Sequence, residues 1–278
     1  MPNYSQSIAL AKLTVGIALF LLLSPSVTLA QHSEHDHDSH SPQINTEDYQ
    51  AKLKLPSQIT PNKSIPLTIN IRSKNNKPVK KFDTFQTKLM HLIIVSDNLQ
   101  FFNHIHPEYN KSKGSFTINT IFPYAGNYTL FSDYKPQGKS EQISVLKAKV
   151  SGTIQPSIGE IDFNTSKEFE QTKVNLKLAN DQIKSGEKTT LIFELKDQNN
   201  QPIKDLKPYL GERGHLVIIR DSKNLTKSDY IHVHPIKNKS NNELQFMTTF
   251  PQSGKYKIWG QFSRNGKVIT ADFWLNVK

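Results

Sequence analysis

The sequence predicts an all-β protein: two tandem immunoglobulin-like β-sandwich domains after a signal peptide and a disordered histidine-rich arm. Two observations carry this prediction. The chain repeats itself at a fixed offset, and each copy breaks into short β-branched or aromatic runs between Pro, Gly and Asn turns. A third observation, histidines at the same places in both copies, bears on what the domains hold.

Residues 1–30 read as a cleaved signal peptide. Lys12 precedes an apolar run over residues 13–23, followed by Ser24-Pro25-Ser26 and a small-residue end, Thr28-Leu29-Ala30. A retained anchor needs roughly 20 apolar residues, and this run is about half as long. No later segment approaches that length, so no stable membrane insertion is expected. The chain contains no cysteine, hence no disulfide and no lipid-bearing cysteine, which points to a free periplasmic or secreted protein of a bacterium. The net charge is +11, or +10 without residues 1–30, which hold one lysine and no acid. The lysines are scattered among Asn and Ser, as at Lys74, Lys77, Lys111 and Lys237, which reads as a solvated surface. Nucleic acid is not an expected partner, whereas attraction to anionic envelope surfaces stays open.

Residues 31–48 form the arm, with His32, His35, His37 and His40 alternating with acids. Such a composition builds no packed core and reads as a flexible, low-specificity chelator, or else as a soluble tail. Cleavage after Ala30 would leave an amine beside His32 that helps it hold Cu²⁺.

The two repeats are expected at 49–150 and 173–278, joined by residues 151–172 as a linker or short bridging strand. An offset of 124 pairs Asn75-Asn76-Lys77-Pro78 with Asn199-Asn200-Gln201-Pro202, and His91-Leu92-Ile93-Ile94 with His215-Leu216-Val217-Ile218. After a four-residue insertion the offset is 128, pairing His104-Ile105-His106-Pro107 with His232-Val233-His234-Pro235. The same offset pairs the segments 122–128 and 250–256, both Phe-Pro-x-x-Gly-x-Tyr. Strands are expected at 67–71, 89–95, 116–122 and 128–131, and again at 191–195, 215–219, 244–250 and 256–262. Tyr128 and Tyr256 suit a corner between sheets, tied to backbone through their hydroxyls.

The histidines acquire geometry once a hairpin is drawn. Pairing Ser96 with Phe101 sets His91 opposite His106, and pairing Arg220 with Asp229 sets His215 opposite His234. Opposed residues share a face, as do residues i and i+2, so His104 joins the first pair and His232 the second. Three converging neutral imidazoles suit Cu²⁺ or Zn²⁺. Met90 is a candidate additional ligand that would bias the first site toward copper, although Gly214 holds its place in the second copy. Asp133 corresponds to Gln261 and so supplies no matched fourth ligand. The competing reading makes the rings core histidines, since their face also carries Ile93, Val95 and Phe102, or Val217, Ile219 and Tyr230.

The elements Met90-His91-Leu92 with His104-Ile105-His106-Pro107, and Gly214-His215-Leu216 with His232-Val233-His234-Pro235, resemble exported bacterial domains of the YtkA-like type. That resemblance covers both repeats but neither arm nor linker. It implies an immunoglobulin-like sandwich associated with handling heavy metals, especially copper. The expected function is copper, or zinc, buffering or delivery, with the metal ion as ligand and a metal-transport or envelope protein as a possible partner. The sequence specifies no oligomeric state. Two alternatives stay open: a structural or protein-interaction module, and a zinc hydrolase or lyase. The latter needs an acid or base beside the histidines, and Glu108 is replaced by Ile236 in the second copy.

Overall fold

The repeated Phe-Pro-x-x-Gly-x-Tyr segment turns the chain from one sheet into the other, and it does so identically in both copies. In the computed structural model, Tyr128 donates its hydroxyl to the Tyr124 carbonyl at 2.8 Å, and Tyr256 to the Gln252 carbonyl at 2.7 Å. Gly126 (φ 131°) and Gly254 (φ 132°) enter the following strands in backbone conformations that a Cβ would strain. The structure describes residues 49–154, 160–169, 171–180, 182–233, 235–236 and 243–278. The expected signal peptide and arm lie outside these residues.

Repeat 1 comprises β1 (Tyr49–Lys54), β2 (Ser64–Ser73), β3 (Met90–Ser96), β4 (Phe102–Ile105), β5 (Glu108–Asn110), β6 (Ser115–Ile121), β7 (Gly126–Tyr134) and β8 (Gln142–Val150). They form two antiparallel sheets, ordered β1-β2-β6-β5 and β4-β3-β7-β8. That is the strand order of an immunoglobulin-like sandwich with one extra strand on the second sheet. Repeat 2 comprises β9 (Ser166–Phe169), β10 (Thr172–Leu178), β11 (Lys188–Lys196), β12 (His215–Arg220), β13 (Tyr230–Val233), β14 (Glu243–Thr249), β15 (Gly254–Arg264) and β16 (Lys267–Val277). Its sheets are β14-β11-β10-β9 and β13-β12-β15-β16. Strand β9 falls within the expected linker but pairs, among the described residues, only with β10, so it belongs to the sheet of repeat 2.

Alternation builds each sandwich core. In β2, Leu67, Ile69 and Ile71 point inward, and in β11, Leu191, Phe193 and Leu195 do so. They meet Met90, Leu92 and Ile94 of β3 in repeat 1, and Leu216 and Ile218 of β12 in repeat 2. The turns that return β2 and β11 place Asn76 (φ 58°) and Asn200 (φ 59°), equivalent under the 124-residue offset, in the left-handed region that Asn tolerates.

Strands β3 and β12 depart from alternation, because β3 is buried at every position and β12 at all but its last. A sheet buried on both faces reads as a continuous apolar run, and Leu92-Ile93-Ile94-Val95 is one. Their outer faces pack against each other. Ile93, Val95, Leu99 and Phe131 of repeat 1 join Val217, Ile219, Leu225, Tyr230 and Trp259 of repeat 2 in one apolar cluster. Phe102 stacks on Trp259 with centroids 4.7 Å apart, and Tyr230 stacks on Phe131 at 4.8 Å. Under the 128-residue offset these are the same contact made from each side, the mark of an approximate twofold relation between the repeats.

The structure corrects the expectation for Met90. Its side chain alternates to the face of β3 opposite His91, lies fully buried in the repeat 1 core, and takes a 3.5 Å hydrogen bond from the Ser132 hydroxyl. It is a core residue, and the thioether bias toward copper falls with it. In repeat 2, a Cβ at Gly214 would meet the Phe262 ring at 3.0 Å, and one at Gly260 would meet it at 2.9 Å. Phe262 thus fills the space that Met90 fills in repeat 1. Gly214→Met should therefore overpack the second core and lower stability by about 1–3 kcal/mol. Urea denaturation reads this as a lower midpoint with an unchanged slope, and an unchanged midpoint would refute the packing account.

Candidate metal centre

The β3–β4 hairpin has the register in which Ser96 faces Phe101: Leu92 pairs with Ile105, Ile93 with His104 and Val95 with Phe102. Extended by one step, it sets His91 opposite His106, just beyond the end of β4. The β12–β13 hairpin pairs Leu216 with Val233 and Val217 with His232, the register that puts Arg220 opposite Asp229. Those two side chains form an ion pair at 2.8 Å, and the insertion is confined to the turn, with its short 3-10 segment Lys227–Asp229.

His91, His104 and His106 come together as the hairpin requires, each offering one ring nitrogen within 4.8 Å of the others. His91 and His104 are buried and His106 is half-buried. His215 and His232 also meet, with their Nε2 atoms 2.8 Å apart. His234, the expected third member of the second set, lies outside the described residues, as do His32, His35, His37 and His40 of the arm.

The two sets occupy the inter-repeat face rather than either sandwich core, and they touch. The rings of His104 and His215 are 4.8 Å apart between centroids, and those of His91 and His215 are 5.8 Å apart and stacked. Phe85 closes on His91 edge-on at 4.8 Å. The tight turns carrying Phe85 and Tyr209 are equivalent under the 124-residue offset, and each is closed by a pair of backbone hydrogen bonds.

Two residues now acquire a role through the repeat interface. His104 Nδ1 donates to Gln261 Oε1 at 2.7 Å, and His232 Nδ1 donates to Asp133 Oδ2 at 3.0 Å. Each middle histidine is thus oriented by the other repeat, from the equivalent position of β15 or β7. In β7, Asp133 lies opposite His91, and in β15, Gln261 lies opposite His215. Their mismatch argued against a shared fourth ligand but hid their common function as acceptors. Gln86, which accepts from His215 Nε2 at 2.7 Å, corresponds to Leu210 and carries no sequence signal.

Hydrogen-bond logic then fixes which nitrogen of His104 carries a lone pair. His91 Nε2 lies 3.3 Å from the Phe85 carbonyl and its Nδ1 lies 3.1 Å from His104 Nε2, so the one hydrogen of the neutral ring serves one of these two contacts. The bond from His104 Nδ1 to Gln261 leaves the lone pair of His104 on Nε2. His91 Nδ1 faces that lone pair at 3.1 Å. His106 Nε2 is buried and has no hydrogen-bond partner among the described residues. Tetrahedral coordination at 2.0–2.1 Å per ligand separates neighbouring nitrogens by about 3.3 Å, close to the His91–His104 spacing.

Electrostatics keeps those lone pairs available. Burial, then the neighbouring His106, holds His104 down to about 3, although the Gln261 hydrogen bond works against this. Burial, then His91 and Lys88, holds His106 down to about 3 as well.

A family model described as "Domain of unknown function (DUF8832)" matches the chain twice, over residues 44–151 and 167–278. No curated protein matches the sequence. Among solved structures, the Escherichia coli adhesin FdeC is 15% identical over 84% of this chain and 65% of its own, with a TM-score of 0.27. A Salmonella alpha-2-macroglobulin mutant is 10% identical over 83% of this chain and 15% of its own, at 0.28. Invasin, a bacterial integrin-binding protein, is 12% identical over 81% and 39%, at 0.23. The chain spans less than two thirds of each of these proteins, and likenesses this remote say nothing of what it binds.

Proposed function

We propose that this chain, which belongs to the DUF8832 family by a match covering well over half its length, is an exported metal-binding protein that holds copper or zinc at the inter-repeat face. The observation that carries the reading is the meeting of His91 Nδ1 and His104 Nε2 at 3.1 Å beside the buried His106 Nε2, which has no hydrogen-bond partner among the described residues. Burial keeps the His104 and His106 rings neutral, with lone pairs that a cation can take. An all-imidazole donor set accepts both Zn²⁺ and Cu²⁺, and the general affinity order favours Cu²⁺.

His215 and His232, with His234 assigned from sequence, would form the second site, and the arm histidines would capture the ion. Export rests on residues 1–30, and among the described residues no helix is long and apolar enough to cross a membrane. We read the centre as non-catalytic, because Asp133, the carboxylate that touches its histidines, is committed to orienting His232. A metal-transport or envelope protein would then receive or supply the ion.

The structural reading has an observation of its own, since His104 and His232 each hydrogen-bond across the interface and so help dock the repeats. Metal analysis separates the two. With His32, His35, His37 and His40 replaced by alanine, the chain should still bind copper or zinc, and His106→Ala should abolish or weaken uptake at the first site. His106 makes no hydrogen bond among the described residues, so a purely structural role predicts no metal before or after that substitution. Near-ultraviolet circular dichroism checks that each variant keeps its packing.

A further inference from the structure

The two halves of the centre share a hairpin register but differ in ring contacts, since His91 turns Nδ1 to His104 whereas His215 turns Nε2 to His232, and they differ in charge. His104 of repeat 1 is held by Gln261, a neutral amide, whereas His232 of repeat 2 is held by Asp133, a carboxylate. Asp133 is 2% exposed, and its Oδ1 is buried without a hydrogen-bond partner among the described residues. A buried carboxylate is costly unless positive charge lies close by. The His232 ring supplies one N–H to Oδ2, and that ring's far nitrogen, Nε2, lies 2.8 Å from His215 Nε2, so a metal there displaces the hydrogen that His215 shares with Gln86. A divalent ion on Nε2 would put two positive charges one ring-width from the carboxylate. Gln261, at the equivalent place, offers a cation no such compensation.

We propose that Asp133 is a positioning residue acting across the repeat interface: it makes the half of the centre at His215 and His232 the tighter of two unequal metal sites. This rests on the metal-binding reading above and goes beyond it by ranking the sites and assigning the asymmetry to one residue of the opposite repeat. A carboxylate behind a ligating imidazole fixes the ring and strengthens it as a donor. Removing such partners typically lowers metal affinity about 10- to 100-fold. The second site then depends on repeat 1 for its affinity although its ligating histidines belong to repeat 2.

The test uses the full chain with the four arm histidines replaced by alanine, titrated with Cu²⁺ against a competing chelator and followed by electron paramagnetic resonance. The unaltered centre should show two classes of site. Asp133→Asn, which keeps an oxygen for the Nδ1 hydrogen and removes the charge, should weaken the tighter class about 10- to 100-fold and spare the looser. Gln261→Glu should tighten the looser class and narrow the gap. To assign the classes, Asp133→Asn is repeated with His91 and His106 changed to alanine, where the remaining site should lose the same factor. A chain that binds copper equally with and without the Asp133 charge, with an unchanged spectrum, overturns this inference and leaves metal binding intact. A chain that binds no metal overturns both.

Discussion

Lowering the pH from 7.5 to 4.5 is expected to remove about 4 kcal/mol of stability from the metal-free protein, with the loss beginning near pH 6.5. The folded state holds His104 and His106 down to about 3, chiefly by burial, while the unfolded chain restores them to 6.5. Below 6.5 the unfolded state therefore binds protons that the folded state refuses. The contribution of these two rings is complete above 6.5, falls as the pH drops through the window from 6.5 to 3, and levels off below it. At pH 4.5, two units into the window, His104 accounts for about 2.7 kcal/mol at 1.36 kcal/mol per unit. His106 is half-buried, and solvent screening reduces its share to roughly half of that. Urea denaturation in chelator at several pH values measures the slope. His104→Gln should flatten it, whatever that change costs at pH 7.5, and an unchanged slope would show that the ring does not stay neutral when folded. Lone pairs kept free of protons this far into acid are also what a metal ligand needs.

Much of this arrangement was written in the sequence as spacing. The two constant offsets gave the repeats, the turn residues gave the strands, and the hairpin register followed from Ser96, Phe101 and the tetrad between them, because strand pairing has a strict period of two. The meeting of His91, His104 and His106 needed nothing more. What spacing could not give was the partner of the histidine face. Ile93, Val95 and Phe102 read equally well as sandwich core, and a strand sequence does not state which of its two apolar faces belongs to its own domain. One signal was present: β3 and β12 lack any polar alternation, as a central strand with layers on both sides must. Asp133 and Gln261 were missed for a related reason. Their roles match only when each is placed against the histidine of the opposite repeat, a relation that alignment of one repeat on the other does not display. Met90 misled because a thioether serves as a ligand or as core filling, and only the alternation of β3, with Phe262 filling the corresponding space in repeat 2, decides which.

Trp259→Ala is expected to cost about 3–5 kcal/mol and to uncouple the two repeats. Trp259 lies opposite Val217 on β15, is 3% exposed, and stacks on Phe102 of the other repeat with an interplanar angle of 15°. Truncation leaves an apolar cavity inside the cluster that joins the repeats, where Ile93, Val95 and Leu99 from one side meet Val217, Ile219 and Leu225 from the other. The sandwich cores are built on the opposite faces of β3 and β12, so they survive the substitution. Denaturation should therefore resolve into two transitions in place of one, and the radius of gyration in solution should rise before either repeat unfolds. Val268→Ala, at a position 40% exposed, is the matched control and should change neither quantity. A single transition at the original midpoint would place the stability of the chain in the separate sandwiches, with no share for their interface. The same substitution reports on the histidines, because His104 and His232 donate their orienting hydrogen bonds to Gln261 and Asp133 only while the repeats are docked. Loss of docking should therefore lower metal affinity at both sites although every histidine is intact, and added metal should move the docking transition back toward its original midpoint.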